Sequence, residues 1–121
     1  MIYSSADGVP GRRIVATLGL VRGSSIRAAH LGQDITAWLK NLVGGELDEY
    51  TKMMAEAREQ ALDRVGDQAR SLGADAVVAI RFSTSHIATG AAEILVYGTA
   101  VKLAPERAGR GGEAATNGGA D

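Results

Sequence analysis

The sequence predicts a single α+β domain in which an antiparallel-rich sheet carries a long helix and a shorter helix on one face. Two segments repeat apolar residues at helical spacing, three segments have the pattern of strands, and their order is strand, helix pair, strand, strand. The 121 residues are 45% apolar and 22% charged, which is typical of one globular domain. We assign residues 1–103 to this domain and interpret residues 104–121 as a flexible tail rich in Gly and Ala.

The first strand is predicted at residues 13–22, where the run IVATLGLV lies between two arginines. Tyr3 suggests a further short strand at the N-terminus. A shorter helix is predicted over residues 29–42, and Gly44-Gly45 then separates it from the long helix. Its apolar positions at helical spacing are Leu31, Ile35, Trp38, Leu39 and Leu42. Ser24-Ser25, which follows Gly23, is interpreted as a helix cap.

The long helix is predicted from about Glu46 to Leu72, because eight apolar residues follow one another there at steps of three and four. Gly73 is a suitable left-handed C-terminal cap. Small residues dominate the second half of the stripe, so we expect the helix to approach its partner closely. The stripe consists of Leu47, Tyr50, Met54, Ala57, Ala61, Val65, Ala69 and Leu72.

The last two strands are predicted at residues 76–83 and 93–103, with a turn at Thr89-Gly90. In the first strand, Ile14, Ala16, Leu18 and Leu20 are expected to share one face. Both faces of the first and last strands are largely apolar, whereas a solvated face would alternate with polar residues. We therefore expect another copy of the chain to cover the second face, with a second helix folded over it as the alternative.

Composition excludes several classes of function. The chain has no cysteine, so it contains no disulfide, thiol nucleophile or thiolate metal site. Its net charge of −1 gives no basis for binding nucleic acid or a membrane surface. Residues 1–40 carry five basic and two acidic groups, whereas residues 46–75 carry four basic and eight acidic groups. With neither a leader nor a run of the ~20 apolar residues that would span a membrane, a cytoplasmic location is expected.

The candidate metal ligands are His30 and Asp34, which lie four residues apart and would share one helix face. They are interpreted either as two ligands of a divalent metal ion or as an ordinary helix pair, and the second case is commoner. Asp75 or Glu46 would complete such a site. No catalytic residue or cofactor motif is identified, and Arg81 is unusual as a charge in the middle of a strand.

Several short motifs together resemble the YbjQ-type family of small uncharacterised bacterial and archaeal proteins. The resemblance covers nearly all of residues 1–103. It implies a dodecin-like α+β fold, a ring-shaped homopentamer and a label that associates the family with heavy-metal binding. The motifs are Leu18–Gly23, Asn41–Glu46, Glu49–Thr51, Ala57–Glu59, Leu72–Val78, Arg81-Phe82, Ala92–Leu95 and Tyr97–Val101.

The chain departs from the family pattern at positions that bear on metal binding. Lys52 stands where Glu is frequent, and Ser83 stands where Asp is frequent. If acidic groups at those two positions hold a metal, this chain lacks them. We therefore expect a cytoplasmic, homo-oligomeric, pentameric binding or assembly module. The alternatives are a metal-binding protein that uses His30 and Asp34, or a small-ligand carrier or enzyme with a pocket between subunits near Trp38 or Arg81.

Overall fold

A computed structural model describes residues 1–28, 44–88 and 90–106 of the chain. It contains an α+β arrangement of four strands and one long helix in this part of the chain. The elements are β1 (Ile2–Tyr3), β2 (Ile14–Ala28), α1 (Gly44–Ser71), β3 (Ala76–Ala88) and β4 (Ala91–Leu103). The strands predicted at residues 13–22 and 76–83 are each extended by several residues. The predicted shorter helix over 29–42 and tail residues 107–121 lie outside the described residues.

The sheet has the strand order β1-β3-β4-β2 and is mixed. β1 runs parallel to β3, while β4 pairs antiparallel with both β3 and β2. Two of the three pairings are antiparallel, in agreement with the expected antiparallel-rich sheet, and the third is parallel. The chain passes through β2 and α1 between β1 and β3, and such a long crossover allows parallel pairing. The last strand in the sequence is therefore a central strand.

The long helix ends as its sequence predicts. Gly73 has a φ of 78°, in the left-handed region that glycine adopts without steric cost. The amide of Gly73 donates to the carbonyl of Arg70 at 2.9 Å, and the amide of Ala74 donates to the carbonyl of Ala69 at 3.0 Å. This pair of hydrogen bonds is a Schellman motif, which satisfies carbonyl groups left free at the end of the helix.

The main core lies between α1 and the sheet, and small residues let the two layers come close. A Cβ atom built at Gly23 on β2 would lie 2.5 Å from the carbonyl oxygen of Ala61 and 2.9 Å from the amide nitrogen of Val65. Only a residue without a side chain fits this crossing. The helix buries Met54, Ala57, Ala61, Val65 and Ala69 against Val21, Val77, Ile80, Ala92, Ile94, Val96 and Ala100.

A smaller cluster lies on the opposite face of the sheet, at the end nearest the N-terminal loop. It consists of Ala76, Val78, Val101 and Leu103, with Val9 and Ile14 packed against them. The pairing of β2 with β4 shifts between Thr17 and Gly19, where Gly19 has a φ of 125°. An earlier shift, between Ile14 and Ala16, separates the facing of these two residues: Leu18 packs on the helix side while Ile14 packs in the smaller cluster. The expectation that the two residues share a face is therefore wrong.

The two ends of the domain are tied together beside this cluster. The Nε and Nη2 groups of Arg12 donate to the carbonyl oxygen of Ala104 at 3.2 and 2.9 Å. The amide of Ala104 donates in turn to the carbonyl of Arg13 at 2.7 Å. These bonds hold the residue after β4 in place, so ordered structure continues at least one residue beyond the predicted boundary at 103.

Candidate functional site

Beyond the smaller cluster, the face of the sheet turned away from α1 is uncovered within the described part of the chain. Paired residues of neighbouring strands point to the same face of the sheet, and consecutive residues of one strand point to opposite faces. Val21 and Ser25 are buried under α1, so the register assigns their strand neighbours and the partners of those neighbours to the other face. Leu20 is 62% exposed and Ile26 is 58% exposed. We call this surface the open face, and it consists of Leu20, Arg22, Ser24, Ile26, Glu93, Leu95, Tyr97 and Thr99.

Tyr97 on β4 lies at the middle of one row of the open face. It pairs with Arg22 on β2 and with Arg81 on β3. In the next row, Leu95 pairs with Ser24 and Ser83. The open face is therefore apolar at Leu95 and Tyr97 in the middle of its β4 stretch and at both ends of its β2 stretch. Cationic residues pair with Tyr97, and the acidic Glu93 pairs with Ile26.

A second uncovered surface lies on the other side of the sheet. The helix packs mainly against β2 and β4 and makes few contacts with β3. Residues 81–88 of β3 are exposed. Phe82 and Thr84 pair with Val96 and Ile94, which face the helix, yet both are exposed and Phe82 is 51% accessible. This surface, which we call the groove, consists of Leu62 on α1 and of Ile80, Phe82 and Thr84 on β3.

One end of the groove deepens into an open cavity of about 460 Å³. The N-terminal loop closes that end, because the amide of Ser4 donates to Val77 at 2.9 Å and the amide of Ala79 donates to Ala6 at 2.8 Å. A Cβ at Gly66 would collide with the Tyr3 hydroxyl, so glycine on α1 makes room for that ring. The cavity is lined by Tyr3, Ser4, Ser5, Leu62, Ile80, Arg81 and Phe82.

Arg81, singled out in the sequence, joins β3 to the N-terminal loop. Its Nη1 donates to the carbonyl oxygens of Ser5 and Ile80, both at 2.9 Å. Ala79 has a φ of 54° at the register shift just before it. The guanidinium therefore links β3 to the N-terminal loop, and Arg81 is among the residues that line the cavity. The cavity lies within one chain, and the pocket expected between subunits near Arg81 stays a prediction.

Ser25 is a buried polar residue whose role sequence reasoning missed. Its side chain is covered by α1; its Oγ donates to Oε1 of Gln60 at 2.7 Å and accepts from Nη1 of Arg27 at 3.1 Å. The interpretation of Ser24-Ser25 as a helix cap is wrong, because both residues lie inside β2. The sequence carried little signal for this part of β2, because residues 22–27 read RGSSIR and have no period-two apolar pattern.

The predicted metal ligands His30 and Asp34 lie outside the described residues, as does Trp38. Asp75 is engaged elsewhere: its Oδ2 accepts from the amide of Leu103 at 2.8 Å, and its Oδ1 lies 3.9 Å from Nζ of Lys102. No three His, Asp or Glu side chains come together within residues 1–28, 44–88 and 90–106. The described part of the chain thus provides no fit for a metal ion, and the site at His30 and Asp34 stays a prediction.

Fold and surfaces together define a small α+β protein whose described residues leave two partly apolar surfaces uncovered and form a cavity at the sheet edge. Comparison with known sequences gives the family. The family described as "Putative heavy-metal-binding" matches residues 1–104, and the chain belongs to it. This confirms the resemblance to YbjQ-type proteins.

Curated relatives carry the name UPF0145 protein, which assigns no activity. The relative from Methanosarcina acetivorans is 55% identical over 85% of this chain and 97% of its own length. The relative from Thermosipho melanesiensis is 55% identical over 88% and 98%, and one from Thermus thermophilus is 53% identical over 88% and 94%. Each match spans nearly the whole length of the relative.

A crystal structure of a protein of unknown function from Pediococcus pentosaceus has a similar fold. The TM-score is 0.53 at 16% identity, and the match covers 86% of this chain and 98% of that one. The likeness supports the α+β architecture. Within the described ranges, no helix combines the length and the apolar character needed to cross a membrane.

Proposed function

We propose that this protein is a homo-oligomeric assembly or binding module, built from five copies in a ring and located in the cytoplasm. The open face carries this proposal. Leu20 and Ile26 are both more than half exposed, and they share the face with Leu95 and Tyr97. Proteins that work as monomers rarely expose large contiguous apolar surfaces, because water contact with each side chain is unfavourable.

The number of copies comes from the resemblance to the family, which implies a pentamer. The location agrees with the lack of cysteine, because the assembly would depend on non-covalent contacts that survive in a reducing compartment. The groove adds a second apolar surface that self-association can bury. Obligate interfaces bury such surfaces much as a core does.

Native mass spectrometry or light scattering on the full chain tests this proposal. We expect a mass five times that of the chain, and a single-copy mass would refute it. The variant Ile26→Lys introduces a charge within the proposed contact and is expected to lower the mass. Leu72→Lys is a matched control, because Leu72 is 46% exposed but lies after the helix and away from the open face.

Metal binding is a second candidate, favoured by the description of the family. In this chain the ligands would be His30 and Asp34. Calorimetric titration with Zn²⁺, Ni²⁺ and Cu²⁺ would compare the native protein with His30→Ala, using His86→Ala as the matched control. Loss of the heat only in the first variant would support the site, and equal weak heats in all three proteins would reject it.

A small-ligand carrier or enzyme is a third candidate, favoured by the cavity beside Arg81. Its volume falls within the range of about 300–1,000 Å³ that small-molecule sites occupy. Saturable thermal stabilisation by one compound of a metabolite panel would support this function if Phe82→Ala abolished it. A compound that stabilised the native protein and Phe82→Ala equally would bind elsewhere.

A further inference from the structure

We propose that α1 seals the outer edge of β2 against the addition of another strand, because two of its polar side chains occupy backbone groups that this edge would otherwise offer. The side chains are those of Arg64 and Gln68. The inference goes beyond the proposed function, since it concerns one edge of the sheet and holds for any number of copies. It means that no partner strand, including one from a second copy, extends the sheet at residues 22–24.

β2 forms one edge of the sheet. The strand order is β1-β3-β4-β2, so within the described residues this strand of 15 residues pairs with β4 alone. In an antiparallel pair, every second residue of an edge strand turns its N–H and C=O groups outward. Such a row of unpaired groups is a template on which another chain can add a strand. A long edge strand therefore needs something to cover it.

Two successive outward-facing residues of β2 are covered by α1. Oε1 of Gln68 accepts from the amide of Arg22 at 2.7 Å, and Nη1 of Arg64 donates to the carbonyl oxygen of Ser24. Arg22 and Ser24 lie two residues apart in a regular stretch of the register, so their backbone groups point to the same side of the strand. An added antiparallel strand would pair with both groups of each residue. Because one group of each is already bonded, neither residue can complete that pairing.

The two side chains reach the edge because of where they lie on α1. Arg64 and Gln68 are four residues apart, so they share one side of the helix. Gln60, one turn earlier, lies on the same side and accepts from Oγ of Ser25 at 2.7 Å. The close crossing at Gly23 brings this side of the helix against β2. A polar stripe of α1 thus follows the strand, and its last two members reach the backbone.

The chemistry of the two side chains is complementary to the groups they cover. The amide oxygen of a glutamine accepts from an N–H, and a guanidinium donates to a carbonyl. Arg64 and Gln68 are both exposed, so the cover consists of hydrogen bonds and one charge rather than of apolar packing. A charge at a sheet edge also opposes strand addition, because a neighbouring strand would remove water from it. Both features fit the protection of this edge.

Hydrogen exchange measured by NMR on the full chain tests the bond to Arg22. We expect its amide to be protected in the native protein and to exchange about tenfold faster in Gln68→Ala, as the loss of one hydrogen bond allows. Gln68→Glu keeps an acceptor at this position and should retain the protection. The amide of Gly23 is the internal control, because it points the other way, toward β4. An Arg22 amide that stays equally protected in Gln68→Ala would overturn the proposal, since something else would then cover this edge.

Removal of both side chains tests whether the edge then accepts a strand. The double variant Arg64→Ala with Gln68→Ala should form assemblies rich in intermolecular β-sheet about tenfold faster than the native protein at equal concentration. Thioflavin T fluorescence and light scattering would follow their growth. The matched control is Thr51→Ala with Arg58→Ala, which makes the same change of net charge at two exposed residues of α1. This control should associate no faster than the native protein.

A rescue variant separates the loss of these hydrogen bonds from a general loss of stability. Arg64→Lys with Gln68→Glu keeps one donor and one acceptor at the edge, so it should associate as slowly as the native protein. Circular dichroism would confirm that each variant is folded at the working temperature. Equal rates for the double alanine variant and the native protein would overturn the proposal, and so would equal rates for the double alanine variant and the rescue variant.

Discussion

The covered face and the open face of the sheet are built from the same two long strands, β2 and β4, and they differ in side-chain size. Under α1 the strands contribute Gly23, Ser25 and Ala92, together with β-branched residues. One residue away, on the open face, stand leucine, isoleucine, tyrosine and arginine. Small residues suit a helix that must come close to the strands. The exposed leucine, isoleucine and tyrosine contribute little to the packing of the single chain, so the two faces allow folding and the proposed self-association to be tested separately.

The largest loss of stability is expected from a substitution in the covered face. Ile94 is 1% exposed beneath α1, so Ile94→Ala would leave a cavity in the core. We expect the free energy of unfolding to fall by about 2–5 kcal/mol, measured by urea denaturation at a fixed protein concentration. The conservative variant Ile94→Val is the control and should lose about 0.5–1.5 kcal/mol. An Ile94→Ala protein as stable as the native one would contradict the packing described.

Gly23→Ala tests the close approach of helix and strand. The added methyl group would meet backbone atoms of Ala61 and Val65, which cannot move as the end of a side chain can. We expect a loss of about 1–3 kcal/mol of unfolding free energy from overpacking. Gly8→Ala is the matched control, because a Cβ there meets nothing within 4 Å. Equal stability of the two variants would show that the layers lie further apart.

Ser25→Ala probes the buried polar contact beneath the helix. It removes the hydroxyl that donates to Gln60 and accepts from Arg27, while it leaves the small volume of the residue almost unchanged. We expect a loss of about 1 kcal/mol, since one partner of a buried hydrogen bond is left unsatisfied. Ser25→Ala combined with Gln60→Leu should be more stable than Ser25→Ala alone, and the lack of any such gain would argue against the pairing.

The smallest expected effect on folding comes from the open face. Ile26→Ala should change the free energy of unfolding by no more than about 0.5 kcal/mol when assembly is prevented by dilution, because this side chain is 58% exposed within its own chain. The same variant should lower the mass of the assembly at equal concentration. Ile94→Ala and Ile26→Ala thus form a matched pair. A large loss of stability in diluted Ile26→Ala would place that side chain in the core of the single chain.

Hydrophobic periodicity predicted α1 and the three long strands, because those signals are local and strong. The helix cap at Gly73 could be predicted because glycine is the residue that most readily adopts the left-handed conformation at the end of a helix. Two features needed information from distant parts of the chain. The parallel pairing of Ile2 with Ala76 depends on contacts across most of the domain. The register shift between Ile14 and Ala16 changes which residues share a face, and a period-two pattern contains no trace of an inserted residue.

The candidate site was predictable only in outline. The apolar residues on both strand faces indicated an uncovered surface, and Arg81 indicated the neighbourhood of the cavity. The groove could not be foreseen, since it arises from the position of α1 over β2 and β4 rather than over β3. That offset is set where Gly23 meets Ala61 and Val65, a contact between residues far apart in sequence.

The strand order also governs when the protein can fold. β4 is made last, yet it lies between β3 and β2, and the bonds from Arg12 to Ala104 close only after it. Most pairings of the sheet are therefore non-local, which slows folding compared with a helical protein of equal length. Before β4 has been synthesised, the chain cannot form the sheet of three long strands. The open face is formed by β2 and β4 together, so it exists only after translation has passed Leu103.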